Sequence, residues 1–204
     1  MATTANAVIP FDAAKLALAL RNIAAATPPS MQFLRMDKTG NWSYGADGSE
    51  IEDEEFALNP ASFQWGYVAW ADTRDGAPAN KLDERMGPAH LPMADVGDPP
   101  KGSRGWEAQL GFSIKGISKG VKDVELQYRS SSDGGKRAVS ALANEVAAQD
   151  KPGLIPIIIC ESRSYKHASY GKIFAPVFKI VRWVPMPKAG EVVAPKKASA
   201  GKRK

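Results

Sequence analysis

Two stretches of the sequence interleave cations with aromatic rings. Arg163-Ser164-Tyr165-Lys166-His167 is followed closely by Tyr170-Gly171-Lys172, and Arg35, Lys38, Trp42 and Tyr44 repeat the mixture earlier in the chain. Cations neutralise phosphates and ring faces take stacked bases, at roughly 1–3 kcal/mol per base, so these residue types together suit a single-stranded nucleic acid. Gly134-Gly135-Lys136-Arg137 opens a helical stretch and offers backbone N–H groups with two cations, a combination suited to one phosphate. Lys115 adds a cation on the outward face of a strand. Packing of Tyr165 and Tyr170 on a barrel rim is the alternative for those two rings, and Trp65 and Trp106 read as core, because large aromatics dominate cores.

Residues for bond chemistry are scarce. Cys160 continues the run Ile157-Ile158-Ile159 and reads as part of a buried strand, and the histidines are His90 and His167. His167, between Lys166 and Ala168, reads as an exposed contact residue. Glu50, Glu52, Asp53, Glu54 and Glu55 could hold a divalent cation through alternate carboxylates, but no second carboxylate cluster matches them and such runs are usually solvated. Neither a phosphate loop, a dinucleotide fingerprint nor HExxH is present. The expectation is a protein that is not an enzyme, with no catalytic residue, metal or cofactor.

The elements that must position these residues are short. Leu16, Leu20 and Ile23 have helical spacing in an alanine-rich stretch that Pro28-Pro29 closes, which predicts a helical N-terminal arm over 1–30. From Met31 the texture changes to short runs between Gly, Asn, Asp and Pro, with a hairpin expected to turn at Lys38-Thr39-Gly40-Asn41. Residues 63–70 read as a strand, and 72–105 as a long Pro- and Gly-rich excursion with little regular structure. Trp106, Ala108, Leu110, Phe112 and Ile114 alternate with polar residues or glycine, and Val124, Leu126 and Tyr128 do the same, so the two should pair as a hairpin. Val139, Leu142 and Val146 form one helical stripe, with Ser132 or Asp133 as its N-cap. Strands are expected at 154–160 and 173–184, joined by a polar loop that carries Arg163 to Lys172. Three strands, a helix and two strands is the order of an OB-type barrel, with an unrelated α+β sandwich as the alternative. The fold class expected is therefore mainly β with one core helix (α+β): an OB-like barrel over 31–187, the helical arm before it and a disordered basic tail over 188–204.

Composition agrees with a globular chain. At 204 residues, 44% hydrophobic and 24% charged, it has no run near ~20 apolar residues, so a membrane-spanning helix is not expected. One cysteine closes no intramolecular disulfide, and no basic residue precedes the apolar N-terminal stretch as in a secretory signal, so the location expected is cytoplasmic. The net charge of +5 conceals a division: residues 31–100 carry five basic against thirteen acidic side chains, and residues 101–204 twenty against eight. A basic half of this kind fits a polyanion partner.

Three stretches, FLRMDKTGNWSYGADGSEIE, NPASFQWGYVAWAD, and SSDGGKRAVSALANEVAAQ with SYKHASYGKIFAPVFKIVRWV, resemble the single-stranded DNA-binding proteins that tailed bacteriophages encode in replication and recombination modules. The resemblance covers residues 31–185. It implies an OB-type fold, no cofactor, protection of single-stranded DNA and, for a phage-encoded chain, a host-cytoplasmic location. Many replication proteins of this kind end in an acidic tail that recruits partners, whereas this chain ends in GKRK, which leaves the internal run 50–55 as the place for replication or recombination partners. Two rival readings are a phage structural or counter-defence protein that binds another protein, and a DNA-processing nuclease.

Overall fold

Alternation at residues 106–114 makes a strand on which the sheet is assembled: Phe112 and Ile114 are buried as the pattern predicts, whereas Ala108 is exposed and Gln109 buried. In the computed structural model, which describes residues 31–73, 79–93, 95–149, 153–169 and 171–186, ten strands and one helix follow in order. They are β1 (Gln32–Met36), β2 (Trp42–Tyr44), β3 (Ser49–Ile51), β4 (Phe56–Leu58), β5 (Gln64–Ala71), β6 (Lys81–Pro88), β7 (Ser103–Gly116), β8 (Glu125–Ser130), α1 (Asp133–Ala148), β9 (Leu154–His167) and β10 (Gly171–Pro185). The sheet runs β10-β9-β4-β7-β8-β1-β2-β3, with β5 paired to β7 and β6 to β5. The β1–β8 pair is parallel and the others are antiparallel. The chain is thus mainly β with one helix, in a curled, barrel-like sheet. Residues 1–30 and 188–204, where the helical arm and the basic tail were expected, lie outside the described residues, and so does Tyr170.

The core collects the inward residues of the curled sheet. Phe112 of β7, Tyr128 of β8, Trp42 of β2 and Phe178 of β10 meet as tilted and edge-on ring pairs, the closest being Phe112 and Phe178 at 4.8 Å between centroids. Offset and edge-on geometries of this kind add about 0.5–1.5 kcal/mol per pair beyond the area they bury. Val139 and Leu142 of α1 join the same cluster, and Val146 packs against it half-buried. Ser132 is the N-cap, its hydroxyl accepting from the Gly135 N–H at 3.1 Å. Gly135 has a packing reason as well. A Cβ there would stand 2.0 Å from the Ser130 hydroxyl and 2.8 Å from that of Tyr128, so the glycine lets the helix start close against β8.

Two expectations need correction. The excursion at 72–105 contains a regular strand, β6, antiparallel to β5, which makes four strands before the helix from residue 64 onward. Its sequence KLDERMGP lacks an apolar period because the strand lies at an edge, with Lys81 and Arg85 ion-paired to Glu84 and Asp83 at 3.0 and 2.9 Å. The polar loop expected between the last two strands is instead a ribbon: β9 runs to His167 and β10 begins at Gly171, in unbroken register from Gly171–His167 to Phe178–Cys160. Most of β9 beyond Cys160 is exposed, so no apolar alternation marks it. Among the described residues no helix is long and apolar enough to cross a membrane.

Candidate nucleic-acid interface

The site begins at the β1–β2 turn. Asp37 closes it by accepting from the Thr39 hydroxyl at 2.7 Å, the Thr39 N–H at 2.8 Å and the Asn41 N–H at 2.9 Å. The Thr39 hydroxyl and these backbone donors hold the Asp37 carboxyl below its ordinary range. Gly40, at φ +90°, lies where a Cβ would come within 2.4 Å of the Phe174 ring and 2.7 Å of the Ser162 hydroxyl. Nearby, the Trp42 indole N–H donates to the Glu161 carbonyl at 3.1 Å. Hairpin and ribbon are therefore clamped together, and side chains from both line one cleft.

That cleft has a volume of about 890 Å³. Arg35 and Lys38 line it from the hairpin side, Tyr165, Lys172 and Phe174 from the ribbon, and Asp133 and Gly134 from the start of α1. Tyr165 is 47% exposed, and the Lys172 ammonium stands 4.8 Å from the centroid of the Phe174 ring. Arg129 brings the lining cations to four, against the carboxylates of Asp37 and Asp133. The N-terminus of α1 adds its partial positive charge. The arrangement can therefore take an anionic chain and offer it ring faces.

A smaller recess of about 410 Å³ adjoins the cleft and shares Leu34, Arg35, Arg129, Ser130 and Ser132 with it. Phe33, Trp70, Lys81, Glu84, Gln109 and Ser131 complete its lining. Glu84 is ion-paired with Arg129 and with Lys81. Burial pushes its carboxyl up, but these two cations more than offset that and its pKa lies below the ordinary value.

Of the residues singled out from the sequence, Arg35, Lys38, Tyr165 and Lys172 converge on the cleft. The others are placed elsewhere. Trp42 is only 4% exposed and packed between Tyr128 and Phe178, so it presents no open ring face; Tyr44 packs half-buried against the core. Lys115 is paired with Asp123 at 3.2 Å, and Lys136 with Asp133 at 3.3 Å. Arg137 is exposed on the first turns of α1, and Arg163 and Lys166 are exposed on the ribbon without lining the cleft. His167 ends β9, its Nδ1 accepting from the Ser169 N–H at 3.1 Å. Sequence reasoning missed Phe174, Arg129 and the adjoining recess. The available signal was Phe33-Leu34-Arg35, in which a ring and a cation flank the inward Leu34.

The remaining candidates are accounted for locally. Burial pushes the Cys160 thiol up to about 12, so it stays protonated at neutral pH. Glu50, Glu52 and Asp53 line a separate recess of about 470 Å³, whereas Glu55 is ion-paired with Arg182. Among the described residues no three His, Cys, Asp or Glu side chains are grouped to hold a metal ion. Trp65 and Trp106, expected in the core, are instead half-buried outside the core cluster, and their indoles donate to the carbonyls of Leu91 and Gly97 at 3.0 and 2.9 Å and so pin the segment after β6 to the sheet. Compared with protein-family models, curated proteins and solved structures, the chain matches none.

Proposed function

We propose that the chain is a sequence-independent single-stranded DNA-binding protein of the OB type, acting in phage DNA replication or recombination. The observation that carries the reading is the meeting, in one cleft, of Arg35 and Lys38 from β1 and its turn with Tyr165, Lys172 and Phe174 from the β9–β10 ribbon. Cations at the phosphates with rings beside them suit an unpaired strand, whose bases are free to stack; a duplex hides those faces. The sequence resemblance to phage single-stranded DNA-binding proteins supports the replication or recombination setting.

The test is a fluorescence-polarisation titration with single-stranded and duplex oligonucleotides at several salt concentrations. Each phosphate neutralised on a single strand releases about 0.7 of a counterion, so the log-affinity against log-salt slope is expected to be about −2 to −4 for three to six contacts. Single strands are expected to bind more tightly than duplex. A flat plot would sink the polyanion reading, and an equal affinity for duplex would leave charge without stacking.

A further inference from the structure

The recess beside the cleft contains polar groups that the fold leaves unsatisfied. β8 leaves the sheet at Ser130, opposite Leu110, so Gln109 is the first residue of β7 beyond that pairing. Gln109 is 6% exposed, lines the recess, and its Oε1 has no hydrogen-bond partner. Arg129 lines the same recess: it is ion-paired with Glu84, while its Nε is buried without a partner. A buried acceptor left unmade is destabilising, and a ligand supplying a donor would relieve it. The last torsion of the Gln109 side chain is broad and soft, so its amide can turn to meet a donor at little cost. Phe33, 38% exposed, and Trp70 supply ring surface in the same recess. The volume of about 410 Å³ falls in the range of small-molecule pockets, about 300–1,000 Å³.

We infer that this recess takes one unstacked nucleobase of a strand lying in the neighbouring cleft, its ring against Phe33 and Trp70, an N–H on Gln109 Oε1 and an acceptor on Arg129 Nε. The inference rests on the single-strand reading of the cleft, which shares a wall with the recess. Every common base carries an N–H beside an acceptor on its pairing edge. The slot therefore distinguishes a base from bare sugar-phosphate and does not select among bases, in keeping with sequence-independent binding.

The test compares an oligothymidylate with a fully abasic strand of the same length and charge, on the wild-type protein, Gln109→Met and Phe33→Ser. Gln109→Met keeps the approximate shape and removes the acceptor. It is expected to weaken oligothymidylate about 5- to 10-fold, the worth of one hydrogen bond, to leave the abasic strand unchanged, and not to lower the melting temperature. Phe33→Ser, at an exposed position, is expected to weaken oligothymidylate about 5- to 50-fold with the abasic strand again unchanged. Unaltered oligothymidylate affinity in both variants, or equal losses on both strands, overturns the slot while the cleft reading stands. A lower melting temperature for Gln109→Met overturns Gln109's role by showing that it is satisfied within the fold. If the wild-type protein binds neither strand, slot and cleft fall together.

Discussion

Tyr165 carries the sharpest single-residue consequence of the proposed function. Its ring lies on the exposed part of the ribbon, opposite Ile173 in the register, and lines the cleft beside Lys172. At 47% exposure it adds little to the core. Tyr165→Ala is therefore expected to weaken single-strand binding by about 1–3 kcal/mol, the worth of one stacked base, with the melting temperature nearly unchanged. Paired titration and thermal denaturation check this: intact affinity with lowered stability would make the ring a packing residue. Trp42 shows the limit of reading rings from sequence. Its neighbours Arg35, Lys38 and Tyr44 have the composition of a binding face, but alternation along β2 turns Trp42 inward onto Tyr128 and Phe178. Nothing local to the sequence names the ring 136 residues away against which it packs.

At the scale of elements, the cleft exists because a hairpin turn is pressed onto a ribbon. Gly40 makes that approach. Its φ of +90° disfavours any side chain, and a Cβ would collide with the Phe174 ring at 2.4 Å. Gly40→Ala is expected to destabilise the fold by about 1–3 kcal/mol, measured as a lower urea midpoint with an unchanged m-value. An unchanged midpoint would show that hairpin and ribbon are not held together at this point. The turn itself was legible from Lys38-Thr39-Gly40-Asn41, as were the β7–β8 hairpin and the helix with its Ser132 cap, because each has a local signal of period, turn residue or capping hydroxyl. The ribbon and β6 were not legible. Strands with water on much of their surface need no apolar alternation, so Arg163–His167 and Lys81–Pro88 resemble loops until their long-range or edge pairing is known. The setting of these residues changes accordingly: a two-stranded ribbon holds Tyr165 and Lys172 at fixed register positions, which a loop would not.

For the whole molecule, the proposed function and the division of charge together predict separate roles for the cleft and the basic tail. Residues 188–204 carry six cations against Glu191, a net +5 equal to the formal charge of the entire chain, so the remaining residues sum to neutrality. A neutral body with a locally cationic cleft and a basic tail makes distinguishable contributions. The tail contains no aromatic residue, so its effect on a polyanion is electrostatic and falls on single strands and duplex alike. On the proposed reading, the cleft rings act on unpaired bases only. Truncation after Pro187 is therefore expected to lower affinity for both kinds of DNA by a similar factor and to flatten the salt dependence, while the preference for single strands persists. Matched single-stranded and duplex oligonucleotides, titrated against full-length and truncated protein at one salt concentration, measure that ratio directly. A truncated protein that binds but has lost its preference would move recognition out of the cleft, and with it the roles assigned to Arg35, Lys38, Tyr165 and Lys172. A preserved ratio at reduced affinity would leave the tail as a tether that raises the local concentration of DNA around a neutral body whose selectivity is built between hairpin and ribbon.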